Sequence, residues 1–148
     1  MPARAGERLE RKPKRFGPPE ADEETRVIKE IAFSAYPAAD VRKLHEFYTK
    51  TLGLPLGEPM EFDGVAGYAE GKVGEGYFAL LLDEWLDRPK GSGAGVAFEV
   101  DDLDKMSAEL RAKGIEVSEP MAFPACKLAN FTDPEGNKVT LHQTTIPH

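Results

Sequence analysis

The side chains best suited to acid–base or thiol chemistry are one carboxylate, one imidazole and one thiol in the C-terminal half of the chain. Glu99, Cys126 and His142 lie in three separate segments with the apolar composition of strands. Because side chains alternate along a strand, His142 shares a face with Thr140, and Glu99 shares a face with Ala97. A carboxylate and an imidazole on facing strands could act as general acid and base, with the thiol nearby, or could contribute to a metal site.

Less reactive roles are open for the same residues. A histidine near a strand end is more often a hydrogen-bonded surface residue, and a lone cysteine is more often a small buried apolar side chain. The other histidines, His45 and His148, have no metal-binding spacing to His142 or to each other. The catalytic candidates are therefore His142, Glu99 and Cys126, without an assigned reaction.

Length and cysteine usage suggest the class of protein. A chain of 148 residues is long enough for one domain with its own core. Cys126 is the single cysteine, which favours a reducing compartment. No apolar run approaches the roughly 18 residues needed to cross a bilayer, and the N-terminus lacks the apolar segment of a secretion signal. We expect a cytoplasmic protein with no membrane partner.

Charge divides the chain near residue 27. Residues 1–27 carry seven Lys or Arg and six Asp or Glu with several prolines, a composition typical of a flexible tail. The other 121 residues hold 12 basic and 20 acidic groups, a poor surface for phosphate backbones. We expect a tail at 1–27, a folded domain at 28–148 and no nucleic-acid partner. Any contact with a nucleic acid or a membrane would be made by the basic residues within 4–15.

The folded part contains one pattern twice. An apolar strand segment leads through Asp40 into a helical pattern that ends at Gly53, and a second leads through Asp102 into one that ends at Gly114. The aspartates are 62 residues apart and the glycines 61. An aspartate side chain can accept from the free N–H groups of a first helical turn, and glycine adopts the left-handed conformation that ends a helix. An internal duplication of this kind predicts two similar units that enclose a site between them.

Strand candidates complete each unit. They lie at 28–36, 61–70 and 76–83 in the first unit and at 96–100, 115–118, 126–132 and 138–143 in the second. The sequence 133–137 predicts a hairpin turn between the last two strands. Each unit is predicted to be a strand, a helix and three strands, with module 1 at about 28–88 and module 2 at about 94–146.

Three motifs carry a family resemblance. They are Asp40 followed by Phe47-Tyr48 and Leu52-Gly53, the second-unit Val96-Ala-Phe-Glu-Val-Asp-Asp102, and Phe131-Thr-Asp-Pro-Glu-Gly-Asn137 followed by Val139-Thr-Leu-His142. In this order they resemble the vicinal oxygen chelate superfamily, the group of glyoxalases, bleomycin-resistance proteins and extradiol dioxygenases. The resemblance implies an α+β fold in which two βαβββ modules form a cupped mixed sheet with helices outside and the ligand inside. It also implies that a homodimer is to be expected.

The same resemblance locates the family's metal ligands. Enzymes of this group commonly hold a divalent ion on up to four side chains, whose positions fall here on Phe33, Leu80, Gly95 and Thr140. The first three have no donor atom in the side chain, and a neutral hydroxyl is a weak ligand. Shifting each position by one residue brings in no His, Asp, Glu or Cys. We therefore predict no metal and no other cofactor.

Without a metal, the cup would be an apolar wall with a few polar groups, the usual composition of a small-molecule site. The predicted ligand-binding residues are Phe33, Ala35, Tyr68, Leu80, Ala97, Glu99, Cys126, Thr140 and His142. The leading hypothesis is metal-independent binding of a small organic molecule, in the manner of the superfamily's sequestering resistance proteins. One alternative is a glyoxalase-like lyase, isomerase or dioxygenase with a non-standard site. Another is a non-catalytic partner-binding module.

Overall fold

The computed structural model describes Thr25 and residues 27–146. Apart from Thr25 and Val27, the tail predicted at 1–27 lies outside the described residues. Residues up to Glu30 belong to a separate unit, so the fold described below is that of residues 31–146. Within the described residues, no helix is both long and apolar enough to cross a membrane.

The polypeptide follows the plan of strand, helix and three strands twice. The first module contains β1 (Ser34–Ala38), α1 (Val41–Glu46), which continues as a π-helical turn (Phe47–Thr51), β2 (Met60–Phe62), β3 (Val65–Val73) and β4 (Gly76–Leu82). A short helix, α2 (Asp83–Leu86), follows β4. The second module contains β5 (Val96–Glu99), α3 (Leu103–Ala112), β6 (Met121–Phe123), β7 (Cys126–Thr132) and β8 (Lys138–Thr144). The predicted fold of two βαβββ modules is confirmed.

Each module forms a four-stranded mixed sheet with the same strand order. The orders are β1-β4-β3-β2 and β5-β8-β7-β6, and the first strand of each module is parallel to the last. Ala35 is level with Ala79 in the first sheet, and Ala97 is level with Thr140 in the second. These pairs make Ala79 the structural counterpart of Thr140.

Both predicted helix caps are present. The Asp40 and Asp102 carboxylates accept hydrogen bonds from the backbone N–H three residues on, at 3.1 and 3.0 Å. Gly53 and Gly114 have φ of 82° and 89°, the left-handed conformation that glycine adopts without steric cost. The capping aspartate and the terminating glycine of each helix were therefore predicted correctly from the local sequence.

Several strand boundaries differ from prediction. The first strand begins at Ser34 rather than at residue 28, and it continues through Pro37, which an edge strand tolerates because one side needs no N–H donor. The strand candidate at 61–70, which Gly64 and Gly67 interrupt in the sequence, lies in the hairpin of β2 and β3, with its turn at Asp63 and Gly64, both at positive φ. The second strand of the second module is Met121–Phe123, and the prediction of a strand at 115–118 is wrong.

A single hydrophobic core joins the helix-facing sides of both modules. From the first module it includes Tyr36, Leu44, Tyr48, Phe78 and Leu80, and from the second Phe98, Leu103, Leu110, Phe131 and Leu141. The opposite faces of the two sheets carry the remaining strand side chains, which alternate with the core residues. We call this opposite surface the ligand face.

The turn between β7 and β8 fastens the two modules together. The buried Asp133 carboxylate accepts from the Tyr48 hydroxyl and from the Asn137 side-chain amide, each at 2.8 Å. Asn137 in turn accepts from the Gly93 N–H at 2.7 Å and donates to the Pro37 carbonyl at 3.4 Å. The predicted hairpin turn is thus also a contact between modules.

Two further polar contacts cross the same junction. The Glu135 carboxylate accepts from the N–H groups of Ala39 and Asp40, at 2.7 and 3.0 Å. The Tyr36 hydroxyl donates to the Lys138 carbonyl at 2.6 Å. The junction therefore fixes where the edge strand β1 lies relative to β5.

Candidate functional site

A pocket of about 330 Å³ lies where the two modules meet. Its lining includes Ser34, Tyr77 and Phe78 from the first module and Ala97, Phe98 and Glu99 from β5. Phe78 and Phe98 meet edge to face, with ring centroids 5.4 Å apart, and Glu99 is the one ionisable carboxylate of the lining. We call this feature the inter-module pocket.

The ligand face of β5 and β8 carries the predicted polar pair. His142 is level with Glu99 in the strand register, and its Nδ1 lies 2.7 Å from Glu99 Oε1. The other carboxylate oxygen accepts from the Thr144 N–H at 2.8 Å. The alternation predicted along these two strands is correct, since Phe98 and Leu141 are core residues. A role for Glu99 or His142 in binding or catalysis stays a prediction.

These hydrogen bonds decide the protonation of the pair. The bond from His142, followed by that from Thr144, lowers the pKa of Glu99 to about 2. Glu99 is therefore a carboxylate near neutral pH and has no proton to donate. The hydrogen between the two side chains belongs to Nδ1, so a neutral His142 carries its lone pair on Nε2.

A second hydrogen-bonded pair, of a tyrosine hydroxyl and a carboxylate, lies on the ligand face of the first module. The Tyr68 hydroxyl donates to Glu70 Oε1 at 2.5 Å, and burial together with Glu70 raises the pKa of Tyr68 to about 12. The ring of Phe33 meets that of Tyr68 edge to face, with centroids 6.0 Å apart. The structure thus brings together two of the predicted ligand residues and adds Glu70, which the sequence analysis did not select.

Leu80 does not belong to the ligand face. It is fully buried in the core, and its Cα partners on both sides, Tyr36 and Ala69, are core residues as well. Ala79 and Leu81 therefore lie on the ligand face, and the orientation predicted for Leu80 is wrong by one residue. The sequence could not mark the faces of β4 because every position from Phe78 to Leu82 is apolar.

Thr140 and Cys126 lie on the same face as His142. The Thr140 hydroxyl donates to Asn130 Oδ1 at 2.6 Å. Cys126 is half-buried and is level with Thr144, two residue pairs along β7 and β8 from the pair of Leu128 and His142. The thiol therefore lies on the same sheet face as the acid–base pair, at the next residue pair of that face.

The side chains at the four positions that the sequence resemblance assigns to metal ligands do not fit a divalent ion. The strand register replaces Leu80 by Ala79, so the positions hold Phe33, Ala79, Gly95 and Thr140. The single oxygen among them belongs to Thr140, and its proton is committed to Asn130. Across Thr25 and residues 27–146, no group of three or more His, Cys, Asp or Glu side chains is arranged to hold a metal.

The sequence analysis did not select Phe78 and Phe98, which line the inter-module pocket and are also core residues. The lining combines residues of β1, β4 and β5, so it depends on how the two modules pack. The doubled strand–helix pattern was the one signal in the sequence for a site at this junction.

Comparison with known proteins agrees with this architecture. A family model described as the glyoxalase/bleomycin resistance protein/dioxygenase superfamily matches residues 30–141. No curated protein matches the chain.

Several solved structures are similar to it. TnmS3, an antibiotic binding protein from Streptomyces sp. CB03234, is 26% identical with a TM-score of 0.69, and the match covers 81% of this chain and 99% of that one. A glyoxalase/bleomycin resistance protein from the same Streptomyces is 28% identical with a TM-score of 0.65, covering 77% and 100%. A lactoylglutathione lyase from Agrobacterium tumefaciens, 19% identical with a TM-score of 0.62 and covering 80% and 96%, shares the fold.

Proposed function

Because the chain belongs to the glyoxalase/bleomycin resistance protein/dioxygenase superfamily, we propose that it binds a small organic molecule in the inter-module pocket and on the adjoining ligand face, without a metal ion. The observation that carries the proposal is the composition of the pocket, whose lining contains Tyr77, Phe78 and Phe98 and a single carboxylate, Glu99. Aromatic side chains stabilise flat apolar ligands, and one polar group suffices to orient them.

The size of the pocket supports the same function. At about 330 Å³ it lies at the lower end of the range of roughly 300–1,000 Å³ that is usual for ligand sites. The ligand face adds Phe33 and Tyr68 in the first module. A ligand larger than the pocket would extend over this face.

The relatives support the class of ligand. TnmS3, 26% identical over 81% of this chain, is an antibiotic binding protein. We extend that class to this chain as a proposal, with an aromatic natural product or a similar compound as the ligand. Binding without chemistry would make it a sequestering protein.

We propose binding without a metal because of the side chains at the four positions that the resemblance assigns to metal ligands. Phe33, Ala79 and Gly95 supply no donor atom, and the Thr140 hydroxyl already donates to Asn130. Divalent ions in proteins are held by imidazole, thiolate or carboxylate groups.

A substitution that fills the pocket tests the proposal. We expect calorimetry with a panel of aromatic antibiotics to find a ligand for the parent protein, and Ala97→Phe to abolish that binding because its ring would occupy the pocket. The matched control is Ala108→Phe, on an exposed position of α3, which should bind as the parent does. Equal binding by Ala97→Phe and the parent would contradict a site in this pocket.

We also propose that the protein is a homodimer, since the ligand face carries large exposed apolar side chains in both modules. Met60 on β2 and Met121 and Phe123 on β6, the edge strands on the outer sides of the two sheets, are 44–51% exposed. Apolar patches of this extent commonly mark an interaction surface, and a second copy presenting the same patch would cover it symmetrically. Light scattering should give twice the monomer mass, and Phe123→Glu combined with Met121→Lys should reduce it to one. A monomeric parent protein would refute the dimer.

The proposal includes a cytoplasmic location. The one thiol, Cys126, is free and half-buried, which suits a reducing compartment. Fractionation of the host cell tests it directly.

A catalytic function is the second candidate, and the Glu99–His142 pair favours it. An imidazole oriented by a carboxylate is the usual form of a general base. Assays against a hemithioacetal and a catechol panel test for lyase, isomerase or dioxygenase activity. Turnover by the parent that His142→Ala abolishes would support an enzyme, and no turnover by the parent would count against it.

A further inference from the structure

The imidazole of His142 is held in one orientation and one tautomer. Glu99 Oε1 receives its Nδ1 hydrogen, and Glu99 itself is fixed by the Thr144 N–H on its other oxygen. The His142 side chain is 31% exposed, so it is accessible from the ligand face. Nε2 is the ring atom left to contact a bound molecule.

A neutral imidazole in this tautomer is a hydrogen-bond acceptor at Nε2. Resting on the proposed function, we propose that His142 Nε2 accepts a hydrogen bond from a weakly acidic hydroxyl of the ligand, so that the site selects phenols over their methyl ethers and over carboxylates. No covalent step is involved. His142 acts as a specificity-determining residue of the binding site.

Two features favour a phenol over a carboxylate as the partner. A carboxylate is ionised near neutral pH and has no proton to offer Nε2. It would also approach the Glu99 carboxylate and, in the first module, the Glu70 carboxylate, which lie on the same ligand face. Like charges at short range are unfavourable. A phenol is neutral and donates.

The aromatic part of such a ligand fits the surroundings. Glu99 lines the inter-module pocket, and His142 is its neighbour on the adjacent strand. Adjacent strands are about 4.8 Å apart, so a bicyclic ring system seated against Tyr77 and Ala97, the lining residues of the ligand face, is long enough to extend across β5 towards β8. Its hydroxyl would then lie at Nε2.

Among the described residues 27–146, the charged group that contacts His142 is the Glu99 carboxylate. On β5 that contact is the carboxylate, and on β7 the titratable side chain of the same face is the Cys126 thiol. Lys127 follows Cys126 in the sequence, but its side chain points to the opposite face. There its ammonium pairs with the Asp104 carboxylate at 3.0 Å. Lys138 shares the face of His142 but lies four residues away along β8.

Three naphthalene probes test the proposal on the whole protein. They are 2-naphthol, which donates, 2-methoxynaphthalene, which has the same ring but cannot donate, and 2-naphthoate, which is an anion. At pH 8 we expect the naphthol to bind about two- to twelvefold more tightly than the ether, the range of one net hydrogen bond. The naphthoate should bind most weakly.

Two histidine variants identify the acceptor. At pH 8, His142→Ala should show no preference for the naphthol over the ether, and the control His45→Ala, which alters a histidine on α1, should behave as the parent does. Unchanged melting temperatures for both variants would show that folding is intact.

Failure of this inference and failure of the proposed function look different. Equal binding of naphthol and ether by the parent at pH 8, a preference that survives in His142→Ala, or tighter binding of the naphthoate overturns the role of His142 but leaves small-molecule binding in place. Lack of binding by the naphthols while another aromatic compound occupies the pocket overturns it as well. The function itself fails if no compound binding is lost in Ala97→Phe.

Discussion

Tyr48 and Asp133 lie 85 positions apart in the sequence, yet the tyrosine hydroxyl donates a buried hydrogen bond of 2.8 Å to the aspartate carboxylate. Tyr48 is on the π-helical turn after α1, and Asp133 begins the turn between β7 and β8. Burial, followed by the charge of Asp133, raises the pKa of Tyr48 strongly, so the phenol is neutral and remains a donor. The pair therefore connects the helix of one module to the last hairpin of the other.

Loss of the Tyr48 hydroxyl and loss of the Asp133 carboxylate should each destabilise the domain, and the second loss should cost more. Tyr48→Phe leaves Asp133 with its bonds from Asn137 and the backbone, so we expect a loss of about 1–3 kcal/mol in unfolding free energy. Asp133→Ala leaves several buried donors without an acceptor and should cost more than about 3 kcal/mol. Urea denaturation measures both values.

The control for this pair is a carboxylate outside the core. Asp104 pairs with Lys127 but is 67% exposed, so Asp104→Ala should change the unfolding free energy by less than about 1 kcal/mol. If Asp133→Ala were as mild as Asp104→Ala, the turn would not be fastening the modules.

The sequence predicted the features whose signals are local. The capping aspartates, the terminating glycines and the alternation Lys138, Thr140, His142 against Val139 and Leu141 each depend on a few neighbouring residues. For that reason the two modules, their helices and the ligand face of β8 were predictable. The pairing of Glu99 with His142 followed from the same alternation on two strands.

Other features had no local signal. The faces of β4 were ambiguous because the strand is apolar throughout, and this misplaced Leu80. The strand Met121–Phe123 is three residues long and lies between Pro120 and Pro124, residues that argue against a strand. The inter-module pocket and the bond between Tyr48 and Asp133 arise from packing of distant segments, which no window of sequence contains.

The Glu99 carboxyl should titrate far below its ordinary range. Carbon-detected NMR should give a pKa of about 2, and in His142→Ala the value should rise towards the ordinary 4.5 because the largest cause of the shift is removed. The folded-state pKa is lower than the unfolded value. The contribution of the pair to stability is therefore present above about pH 4.5 and is lost as the pH falls through about 2.

The corresponding thermal measurement compares the parent with Glu99→Gln. The difference in melting temperature should be small, because the Glu99 side chain is 57% exposed, and it should shrink to nothing as the pH approaches 2. A difference that is independent of pH would mean that the amide change acts through packing and not through charge.

The packing of Trp85 on Gly67 can be monitored by fluorescence, since Trp85 is the chain's only tryptophan. A Cβ added at Gly67 would lie 2.0 Å from a ring carbon of Trp85, so Gly67→Ala must displace the indole. The ring is 47% exposed and meets Phe62 edge to face. We expect it to move towards solvent, with a red-shifted emission and a loss of about 1–3 kcal/mol in unfolding free energy. Gly57→Ala, where the nearest atom is at 3.5 Å, should leave the emission unchanged.

Removal of divalent metals should leave the protein unaltered. This expectation rests on the proposal of metal-independent binding, in which the predicted metal positions hold Phe33, Ala79, Gly95 and Thr140. Loss of a ligand that stabilises the native state lowers the melting temperature, so a protein without a bound ion should not respond to a chelator. We expect the same melting temperature with and without EDTA, and less than stoichiometric zinc, nickel, iron or manganese in the purified protein by elemental analysis. Stoichiometric metal that EDTA removes together with a drop in melting temperature would contradict metal-independent binding. In that case His142→Ala and Glu99→Ala would show whether the Glu99–His142 pair holds the ion, because loss of the metal in both variants would move the ligand set from the family's positions to this pair.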